Sequence, residues 1–369
     1  MDFALSEDQQ SLRELARKML EELATHERLK AVKATPERID RELWRELAKA
    51  NLLGVAIEER FGGNGSGLTE LAIVLEEIGR AVAPVPVFPT LVLGALPIAA
   101  FGSEAQRAKW LPRVAAGDAI LSAAIVDDRP IDVVSARRDG SGFVLDGARS
   151  LVQAAHVADA ILVPAKTDAG TTLFLIDARA KKLQLERVET TDEQLRPHLR
   201  VAELRVDAPD VVGGIGQGDE ILAWLTQRAT LALCAMQVGV AERALEITAR
   251  YATERIQFDR PIGSFQAVHT RAGDAFVDVQ AMRLTMLRAL HLLEQGEDAT
   301  ENLIIAKYWA ADGGGRVTYA AQHLHGGIGV DIDYPIHRYY LWARQIGLHF
   351  GSGAEQIALL GERLASRGN

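Results

Sequence analysis

The spacing of apolar positions is helical in the first third of the chain. Apolar residues recur every three or four positions and form one face of a helix. They include Leu12, Leu15, Ala16, Met19, Leu20 and Leu23. Ser6 followed by Gln9 is a capping-box pattern before this face, and Ser103 and Gly117 bracket a later helix. The pattern predicts an N-terminal helical domain over residues 1–118.

The spacing changes at about residue 119, where short runs rich in β-branched residues begin. They include AILSAAIV, GFVLDGARSLV, ADAILVPAK and TTLFLIDA. Asp-Gly pairs at 139–140 and 146–147 punctuate these runs, and such pairs are typical of tight turns between antiparallel strands. The pattern predicts a middle antiparallel β-domain over residues 119–217.

Helical spacing returns at about residue 218 and continues to the C-terminus. One very long helix is predicted over residues 219–258, followed by helices at about 265–295, 300–323 and 353–366. The predicted organisation is therefore α+β, with a C-terminal helical-bundle domain over residues 218–369.

Composition excludes several classes of protein. The net charge of −9 argues against a nucleic-acid partner. The single cysteine, Cys234, excludes a disulfide framework and a cysteine-based zinc site, and it fits a cytoplasmic location. The longest apolar stretch, residues 229–241, is shorter than the roughly 20 residues of a membrane span, so a buried helix is predicted instead.

The stretch ERIQFDRPIGSFQAVH, residues 254–269, carries the first candidate chemistry. Pro261 ends the long helix, and Ser264 is placed to cap the next one. One interpretation is simple helix punctuation. The other is a ligand clamp, in which Arg255 pairs with a phosphate and Phe258 offers a flat face to an aromatic base.

The stretch QHLHGGIGVDIDYPIHRYY, residues 322–340, carries the second. Gly326 and Gly327 lack Cβ atoms, which allows close approach of another backbone or of a pyrophosphate. A glycine helix cap would read the same way. His323 and His325 lack an acidic or cysteine ligand at a usual metal spacing, so no metal site is predicted.

In this order, the two stretches resemble motifs of the acyl-CoA dehydrogenase family of FAD-dependent flavoproteins. RIQFDRPIGSFQ resembles R-x-x-F-G-x-P-I-x-x-F-Q, and HLHGGIG resembles Q-x-x-G-G-x-G. The segment from LWRELAKANLLGVAI to AVAPVPV resembles the family's N-terminal signature, so the likeness covers essentially the whole chain. It implies an N-terminal helical domain, a β-barrel-like middle domain and a C-terminal four-helix bundle.

The resemblance also implies a flavin between the β-domain and the C-terminal helices, with its ADP half reaching a neighbouring subunit. The ADP half would be held by Arg255, Gln257, Phe258, Gln266, His323, Gly326 and Gly327. Two of the positions depart from the family. His323 replaces a glutamine, though a neutral imidazole still donates one hydrogen bond. Asp259 replaces a glycine.

The family removes two hydrogens from the Cα–Cβ bond of an acyl-CoA, and a carboxylate takes the α-proton. The usual glutamate precedes a Gly-Thr pair, and Phe350 occupies that position here. The alternative position on the long helix falls near Ala229, which is not an acid. Glu355 is close in sequence to the missing base, but Ser352 and Glu355 form a capping-box pattern.

A third departure lies in the β-domain. The family's Thr-Glu-Pro, which lines the flavin ring, corresponds to Val126, Asp127 and Asp128. The sequence therefore keeps most of the ADP-holding half of the site and loses most of the catalytic half.

An actinobacterial branch of the family fits this combination. Its steroid side-chain acyl-CoA dehydrogenases are α2β2 heterotetramers, in which one chain carries the base and the other completes the flavin site. The resemblance implies that this chain is of the second kind. FAD, an acyl-CoA substrate, a second family subunit and an electron-transfer partner follow from it.

Two alternatives stay open. The chain could be a self-sufficient homotetramer that uses Glu355 or Asp127 as its acid. It could also be a flavin-free structural or acyl-CoA-binding protein on the same scaffold. Flavin colour separates the last from the others, and a need for a co-expressed partner separates the first two.

Overall fold

A computed structural model describes residues 3–125 and 133–367. Cα positions divide the chain into two compact units. One contains Met1–Lys30, Leu68–Ala83 and Thr230–Asn369. The other contains Ala31–Gly67 and Pro84–Ala229.

Helices dominate both ends of the described chain, as the apolar spacing predicted. The α-helices are α1 (Glu7–Leu23), α2 (His26–Lys33), α3 (Arg41–Lys49), α4 (Leu68–Ala81), α5 (Leu96–Phe101), α6 (Glu104–Ala115), α7 (Gly218–Glu254), α8 (Gln266–Glu294), α9 (Thr300–Tyr308), α10 (Gly314–His325), α11 (Ile336–Leu348) and α12 (Gly353–Arg367). π-Helical segments run over Phe88–Ala95 and Trp309–Gly313.

The strands lie between α6 and α7, apart from a short hairpin after α7. They are β1 (Leu121–Ala123), β2 (Val134–Asp139), β3 (Gly142–Arg149), β4 (Ala160–Thr167), β5 (Gly170–Asp177), β6 (Leu183–Glu186), β7 (His198–Val206), β8 (Val211–Val212), β9 (Ile256–Gln257) and β10 (Arg260–Pro261). The predicted α, β, α organisation is confirmed, whereas the three domain boundaries remain a prediction.

Two helices begin as their capping residues predicted. Ser6 accepts from the Gln9 amide, and the Gln9 side chain accepts from the Ser6 amide. Ser103 and Gln106 make the same pair of bonds before α6. These bonds satisfy amides that have no partner inside a helix. After α6, Gly117 adopts a φ of +75°, which glycine reaches without strain.

The sheet is mixed, whereas the sequence predicted antiparallel pairing. Its strand order is β6-β7-β3-β2-β4-β5-β8, and β1 pairs with β4 in parallel. β2 also meets β4 in parallel, and the other pairs are antiparallel. Parallel pairing needs a long connection between strands, which the spacing of short runs does not reveal.

The two Asp-Gly pairs have different roles. Gly140 lies in the tight β2–β3 turn, as predicted. The prediction for Asp146-Gly147 is wrong, because this pair lies inside β3 at a shift of register against β7. Gly147 has a φ of +140°, and a Cβ there would lie 2.2 Å from the Val133 carbonyl oxygen. The glycine therefore marks a bulge and a close backbone approach.

Helix α7 is the central helix of the C-terminal region. Its residues Val238 and Ala241 pack with Val279 of α8 and Val317 of α10 in one buried cluster. By length and composition alone, α7 could span a membrane, but 67% of its apolar window is buried in the fold. Core helices of water-soluble proteins pass the same test.

Two glycines let α4 and α7 cross closely. A Cβ on Gly79 would lie 2.1 Å from the Met236 carbonyl oxygen, and one on Gly239 would lie 1.9 Å from the Glu76 carbonyl oxygen. No side chain fits at either distance, so both positions require glycine. The crossing holds α7, the helix that precedes the first candidate motif, against α4.

Three parts of the C-terminal prediction are corrected. The long helix ends at Glu254 because the β9–β10 hairpin follows it. The helix predicted over 300–323 is two helices joined by Trp309–Gly313. Helix α11 was not predicted, and Pro335, which reads as a breaker, is its N-cap residue.

Candidate functional site

The first motif forms a two-residue hairpin after α7. Gln257 pairs with Arg260, so Phe258 and Asp259 are the two loop residues. Their φ values are +53° and +61°. A loop with two positive φ values is the type I′ turn, which matches the twist of the strands. Aspartate tolerates this conformation, which explains how Asp259 replaces the family's glycine.

Phe258 is the strained and exposed residue of this hairpin. A left-handed conformation costs a residue of this kind about 1–2 kcal/mol. Its side chain is nevertheless 88% exposed, and it touches Phe265 edge-on at 6.1 Å between centroids. An exposed ring on a strained backbone is more easily explained by a role in binding than by a role in stabilising the fold.

The polar residues of the first motif also face solvent. The Arg255 guanidinium has no ion pair or hydrogen bond within residues 3–125 and 133–367, and its side chain is exposed. Gln266 is the exposed first residue of α8. The Gln257 amide nitrogen donates to the Ile256 carbonyl oxygen at 2.7 Å, which leaves the amide oxygen as an acceptor.

The predicted cap at Ser264 is wrong. Ser264 Oγ donates to the Pro261 carbonyl oxygen at 2.7 Å, and Phe265 is the N-cap residue of α8. Because the Phe265 side chain cannot accept a hydrogen bond, the first amides of α8 have no side-chain cap. The start of α8 therefore keeps the positive end of its helix dipole uncompensated.

The second motif begins where α10 ends. Gly326 has a φ of +64°, and a 3-10 turn covers Gly326–Val330. No atom of the described chain lies within 4 Å of a Cβ built on Gly326 or Gly327. At Gly329 such a Cβ would lie 2.5 Å from the Gln322 carbonyl oxygen. Gly329 is thus required by packing, whereas the first two glycines leave their backbone open.

His323 replaces the family's glutamine as a donor. Arg271 Nη1 lies 2.7 Å from His323 Nδ1, and arginine only donates, so Nδ1 is the acceptor. The proton of the neutral ring is then on Nε2. His323 also stacks on Tyr319 at 6.2 Å between centroids. The imidazole can therefore give one hydrogen bond to a ligand.

The ends of α7 and α10 are in direct contact. The Tyr251 ring stacks on the His325 ring, with centroids 4.3 Å apart. Arg255 follows Tyr251 by one helical turn, and Gly326 follows His325 directly. On the same unit, Arg271 of α8 contacts His323, as described above. The structure therefore brings the two motifs together, although no residue of the hairpin bonds to the glycine turn.

The groups that these elements present fit the ADP part of a flavin. They comprise a guanidinium, two amides, an imidazole donor, an exposed ring and two open glycine positions. The residues are Arg255, Gln257, Gln266, His323, Phe258, Gly326 and Gly327. A pyrophosphate suits the cation and the open backbone, and an adenine suits the ring.

Phe350, at the position that the resemblance assigns to the base, has a side chain that cannot accept a proton. Phe350 has a φ of +58° and stacks on His349 at 4.8 Å between centroids. Its carbonyl oxygen accepts from Gln356 Nε2 at 3.2 Å. The hydrogen bond from Gln356 thus stabilises the backbone turn before α12. The Phe350 side chain at this turn is a hydrocarbon.

Glu355 forms the capping box that its spacing predicted. Glu355 Oε2 accepts from the Ser352 amide at 2.6 Å and from Ser352 Oγ at 2.7 Å. These bonds lower the pKa of Glu355, with the side-chain bond from Ser352 as the largest cause. A carboxylate stabilised as an anion takes up a proton poorly, so this geometry disfavours Glu355 as a base.

The alternative base position is also apolar. Ala229 is fully buried. Arg228 donates to the Trp224 carbonyl oxygen at 3.1 Å and lies over the Trp224 ring, and burial lowers its pKa to about 10. The prediction that concerns Val126–Asp128 lies outside the described residues.

Sequence reasoning missed a buried lysine beside the base position. Lys307 is fully buried, and its Nζ donates to the carbonyl oxygens of Ile346 and Gly347 at 3.2 and 3.0 Å. These carbonyls lie in the last turn of α11, four and three residues before Phe350. Burial lowers the pKa of Lys307 to about 8. The only sequence signal was a lysine among the apolar residues of a predicted helix.

No group of three or more His, Cys, Asp or Glu side chains that could hold a metal occurs in the part of the chain that the structure describes. His323 and His325, the histidines of the second motif, bond instead to Arg271 and to the Ala321 carbonyl oxygen.

Comparisons with known proteins agree with this geometry. Residues 6–118 match the acyl-CoA dehydrogenase N-terminal domain family, and residues 216–365 match the corresponding C-terminal domain family. The chain is 38% identical over 373 residues to acyl-CoA dehydrogenase FadE27 of Mycobacterium tuberculosis, and the match covers 99% of both chains.

Two solved structures are also similar. A chain of the ChsE4-ChsE5 complex from Mycobacterium tuberculosis has a TM-score of 0.95 and 39% identity, with 99% of both chains covered. A chain of a variant of the Tcur3481-Tcur3483 steroid ACAD has a TM-score of 0.91 and 42% identity, covering 98% of this chain and 99% of that one. The chain therefore belongs to the acyl-CoA dehydrogenase family of FAD-dependent oxidoreductases.

Proposed function

We propose that this chain is the base-lacking subunit of a heteromeric acyl-CoA dehydrogenase that acts on a bulky, steroid-type acyl-CoA. The observation that carries the proposal is the contrast between Phe350 at the base position and the open residues around Arg255 and Gly326. The chain would complete the flavin site of a second family subunit that supplies the base. A cytoplasmic location and an electron-transfer partner belong to the same proposal.

The missing base weighs against independent catalysis. Dehydrogenation needs a group that takes the α-proton, and general-base catalysis typically contributes about 10²–10⁴ in rate. Phe350 and Ala229 offer no such group, and Glu355 is engaged in a helix cap. A homo-oligomer of this chain would therefore dehydrogenate an acyl-CoA very slowly.

The chain's own residues would act on the cofactor rather than on the substrate. Arg255 would pair with the pyrophosphate, and Phe258 would stack on the adenine. Gly326 and Gly327 would let the pyrophosphate approach the backbone at the end of α10. FAD, when bound, would accept the hydride from the substrate's β-carbon.

The names of the relatives support a partner and a substrate class. One similar structure is a complex of two differently named chains, ChsE4 and ChsE5. Another is described as a steroid ACAD, again with two named chains. The share of each chain that is covered is 98% or more, so the likeness is not confined to one domain.

The experiment compares flavin content with protein mass. The chain is purified alone and after co-expression with a family member that carries the glutamate. We expect the chain alone to be poorly soluble or poor in flavin. We expect the complex to contain two copies of each chain and one flavin per heterodimer, not one per chain.

Two other outcomes would overturn the proposal. A yellow, active homotetramer with one flavin per chain would establish a self-sufficient enzyme. A colourless complex, or no complex with any family member, would favour a flavin-free acyl-CoA-binding or structural protein. The glutamate-bearing partner purified alone is the control that shows which chain brings the flavin.

A further inference from the structure

Three aromatic side chains meet behind the glycine turn. Tyr251 comes from α7, His325 ends α10, and Tyr334 lies in the segment before α11. The His325 ring stacks on Tyr251 at 4.3 Å and lies 5.2 Å from the Tyr334 ring, measured between centroids. The two tyrosines meet edge-on at 6.4 Å. His325 itself is 3% exposed, so this contact is shielded from water.

Hydrogen bonds assign the proton of His325. Nδ1 lies 2.7 Å from the Ala321 carbonyl oxygen, which only accepts, so Nδ1 carries the hydrogen. Nε2 lies 3.3 Å from the Tyr334 hydroxyl and accepts from it. Both nitrogens of a neutral ring are therefore used. The Tyr251 hydroxyl also reaches the His325 carbonyl oxygen at 3.5 Å.

Few other contacts hold the first residues of the glycine turn, apart from the bond that the Gly326 amide donates to the His323 carbonyl oxygen. Gly326 has a φ of +64° and a ψ of −138°, outside any helix or strand. Neither Gly326 nor Gly327 has a side chain to anchor it. On the far side, Gln322 Nε2 donates to the Gly329 carbonyl oxygen at 3.1 Å. His325 fixes the near side.

We infer that His325, held in its neutral form between Tyr251 and Tyr334, is a positioning residue that keeps the Gly326–Gly327 turn in the shape that receives a pyrophosphate. The inference rests on the proposed function, because it assigns the turn to the ADP half of the cofactor. His325 does not touch that ligand. It acts through the backbone that follows it.

The charge of the ring sets a pH dependence. Burial lowers the pKa of His325, and the bond to the Ala321 carbonyl only partly opposes this. Arg250 and Glu254 of α7 lie near Tyr334, and His337 Nδ1 lies 2.7 Å from the Tyr334 carbonyl oxygen. The other titratable and charged residues that line the cavity beside Tyr251 and Tyr334 are Arg17, Glu21, His26, Glu77, Arg80, Arg243, Arg338 and Tyr339. Within residues 3–125 and 133–367, no carboxylate pairs with the ring.

The sign follows from the lowered pKa. The contacts of neutral His325 are fully present above the ordinary histidine pKa of about 6.5. When the Gly326–Gly327 turn opens, His325 is exposed and binds a proton below that pH, whereas buried His325 in the ordered turn does not. The ordered turn therefore becomes less stable as the pH falls. Ligand affinity should fall by up to about tenfold per pH unit below it.

The test measures ADP binding to the flavin-free form of the complex of the proposed function at pH 7.5 and pH 5.5. Wild type should bind more weakly at the lower pH. His325→Phe keeps a ring but cannot be protonated, so its affinity should lose this pH dependence. Tyr334→Phe removes only the hydroxyl and should weaken binding about threefold to tenfold at pH 7.5. His291→Gln, on α8, is the matched control and should behave as wild type.

A second measurement needs no ligand. Hydrogen-exchange protection of the amides in Gly326–Val330 should be greater at pH 7.5 than at pH 5.5 in wild type, and independent of pH in His325→Phe. The same pH dependence in both proteins would overturn the inference. If wild type fails to bind ADP at either pH, the proposed function fails, and the exchange data still decide the role of His325.

Discussion

Two phenylalanines of this chain adopt the same rare backbone conformation in opposite surroundings. Phe258 has a φ of +53° and Phe350 a φ of +58°. Phe258 is 88% exposed at the tip of the hairpin that follows Arg255, whose guanidinium has no partner within residues 3–125 and 133–367. Phe350 is half-buried and stacked on His349. The Phe258 ring is exposed to solvent, and the Phe350 ring packs against the chain.

The polar groups around the two turns differ in the same way. Around Phe258, Arg255 has no partner in the described ranges, and Gly326 and Gly327 leave open backbone. Around Phe350, the carbonyl oxygen accepts from Gln356, and Oε2 of the Glu355 carboxylate accepts from the Ser352 amide and hydroxyl as a cap. Under the proposed function, the groups around Arg255 would bind the cofactor, and the bonds around Phe350 would stabilise the turn before α12.

We call the Phe350 turn and its contacts the closed region, and the Phe258 hairpin with Arg255, Gly326 and Gly327 the open region. The largest expected effect concerns the closed region. Lys307 supports the end of α11 before Phe350, and its pKa of about 8 means that burial outweighs its two hydrogen bonds. Between about pH 8 and its ordinary pKa of about 10.4, the unfolded chain binds a proton that the folded chain lacks. The contribution of Lys307 to stability should therefore rise with pH in that window, by roughly 3 kcal/mol at most, while the raised pKa of the buried Cys234 thiol contributes a change of the opposite sign that Lys307→Met retains.

Replacing the lysine tests this. In Lys307→Met the rise in unfolding free energy between pH 8 and pH 10.5 should be absent, because methionine does not titrate. Urea unfolding at three pH values measures it, and the exposed Lys182→Met is the control. If Lys307→Met keeps the wild-type rise, Lys307 is not the group responsible, and the closed region is held by other contacts.

The next effect concerns the open region. Arg255→Ala should remove a charge-assisted contact worth roughly 1.5–3 kcal/mol of flavin binding. Arg260→Ala is the matched control, since it removes the same charge from the same hairpin but from a guanidinium packed 4.1 Å from the Phe265 ring. Flavin affinity of the complex is the readout. Unchanged affinity in Arg255→Ala would remove Arg255 from the site.

A glycine separates ligand effects from effects on the fold. A Cβ on Gly327 meets no atom of the described chain within 4 Å, so Gly327→Ala should leave stability nearly unchanged. It should still weaken flavin binding, because the methyl group occupies the path of the pyrophosphate. Gly273→Ala, also open, is the control for both measurements. Wild-type affinity in Gly327→Ala would mean that this backbone does not face the ligand.

Much of this arrangement could be predicted from the sequence, and the misses have physical causes. Long amphipathic helices and capping boxes are local, so Ser6, Ser103 and Ser352 were interpreted correctly. Helix α11 was missed because Pro335 precedes it, although Ile336, Tyr339 and Ile346 form a buried face. Its proline suits a helix start, and its apolar face continues from there.

The roles of Lys307 and His325 could not be predicted in this way. Each depends on a partner from another element, α11 for Lys307, and α7 and the Tyr334 segment for His325. A sequence shows that a residue is ionisable but not that it is buried. The exposed candidate residues of the two motifs could be named from the sequence because they belong to a recognisable motif, and their role in binding stays a prediction.

The smallest expected effect separates a cap from a base at Glu355. Ser352→Ala should lower the free energy of unfolding by about 1 kcal/mol, as loss of a helix cap does. Glu355→Gln keeps an acceptor for the Ser352 amide and should leave turnover of the complex nearly intact. Because the two bonds from Ser352 lower the pKa of Glu355 more than burial raises it, the cap holds this carboxylate as an anion and disfavours proton uptake. Loss of turnover by several orders of magnitude in Glu355→Gln, with flavin content and fold unchanged, would make Glu355 the base. The closed region would then be catalytic, and the contrast between the two turns would no longer separate binding from reaction.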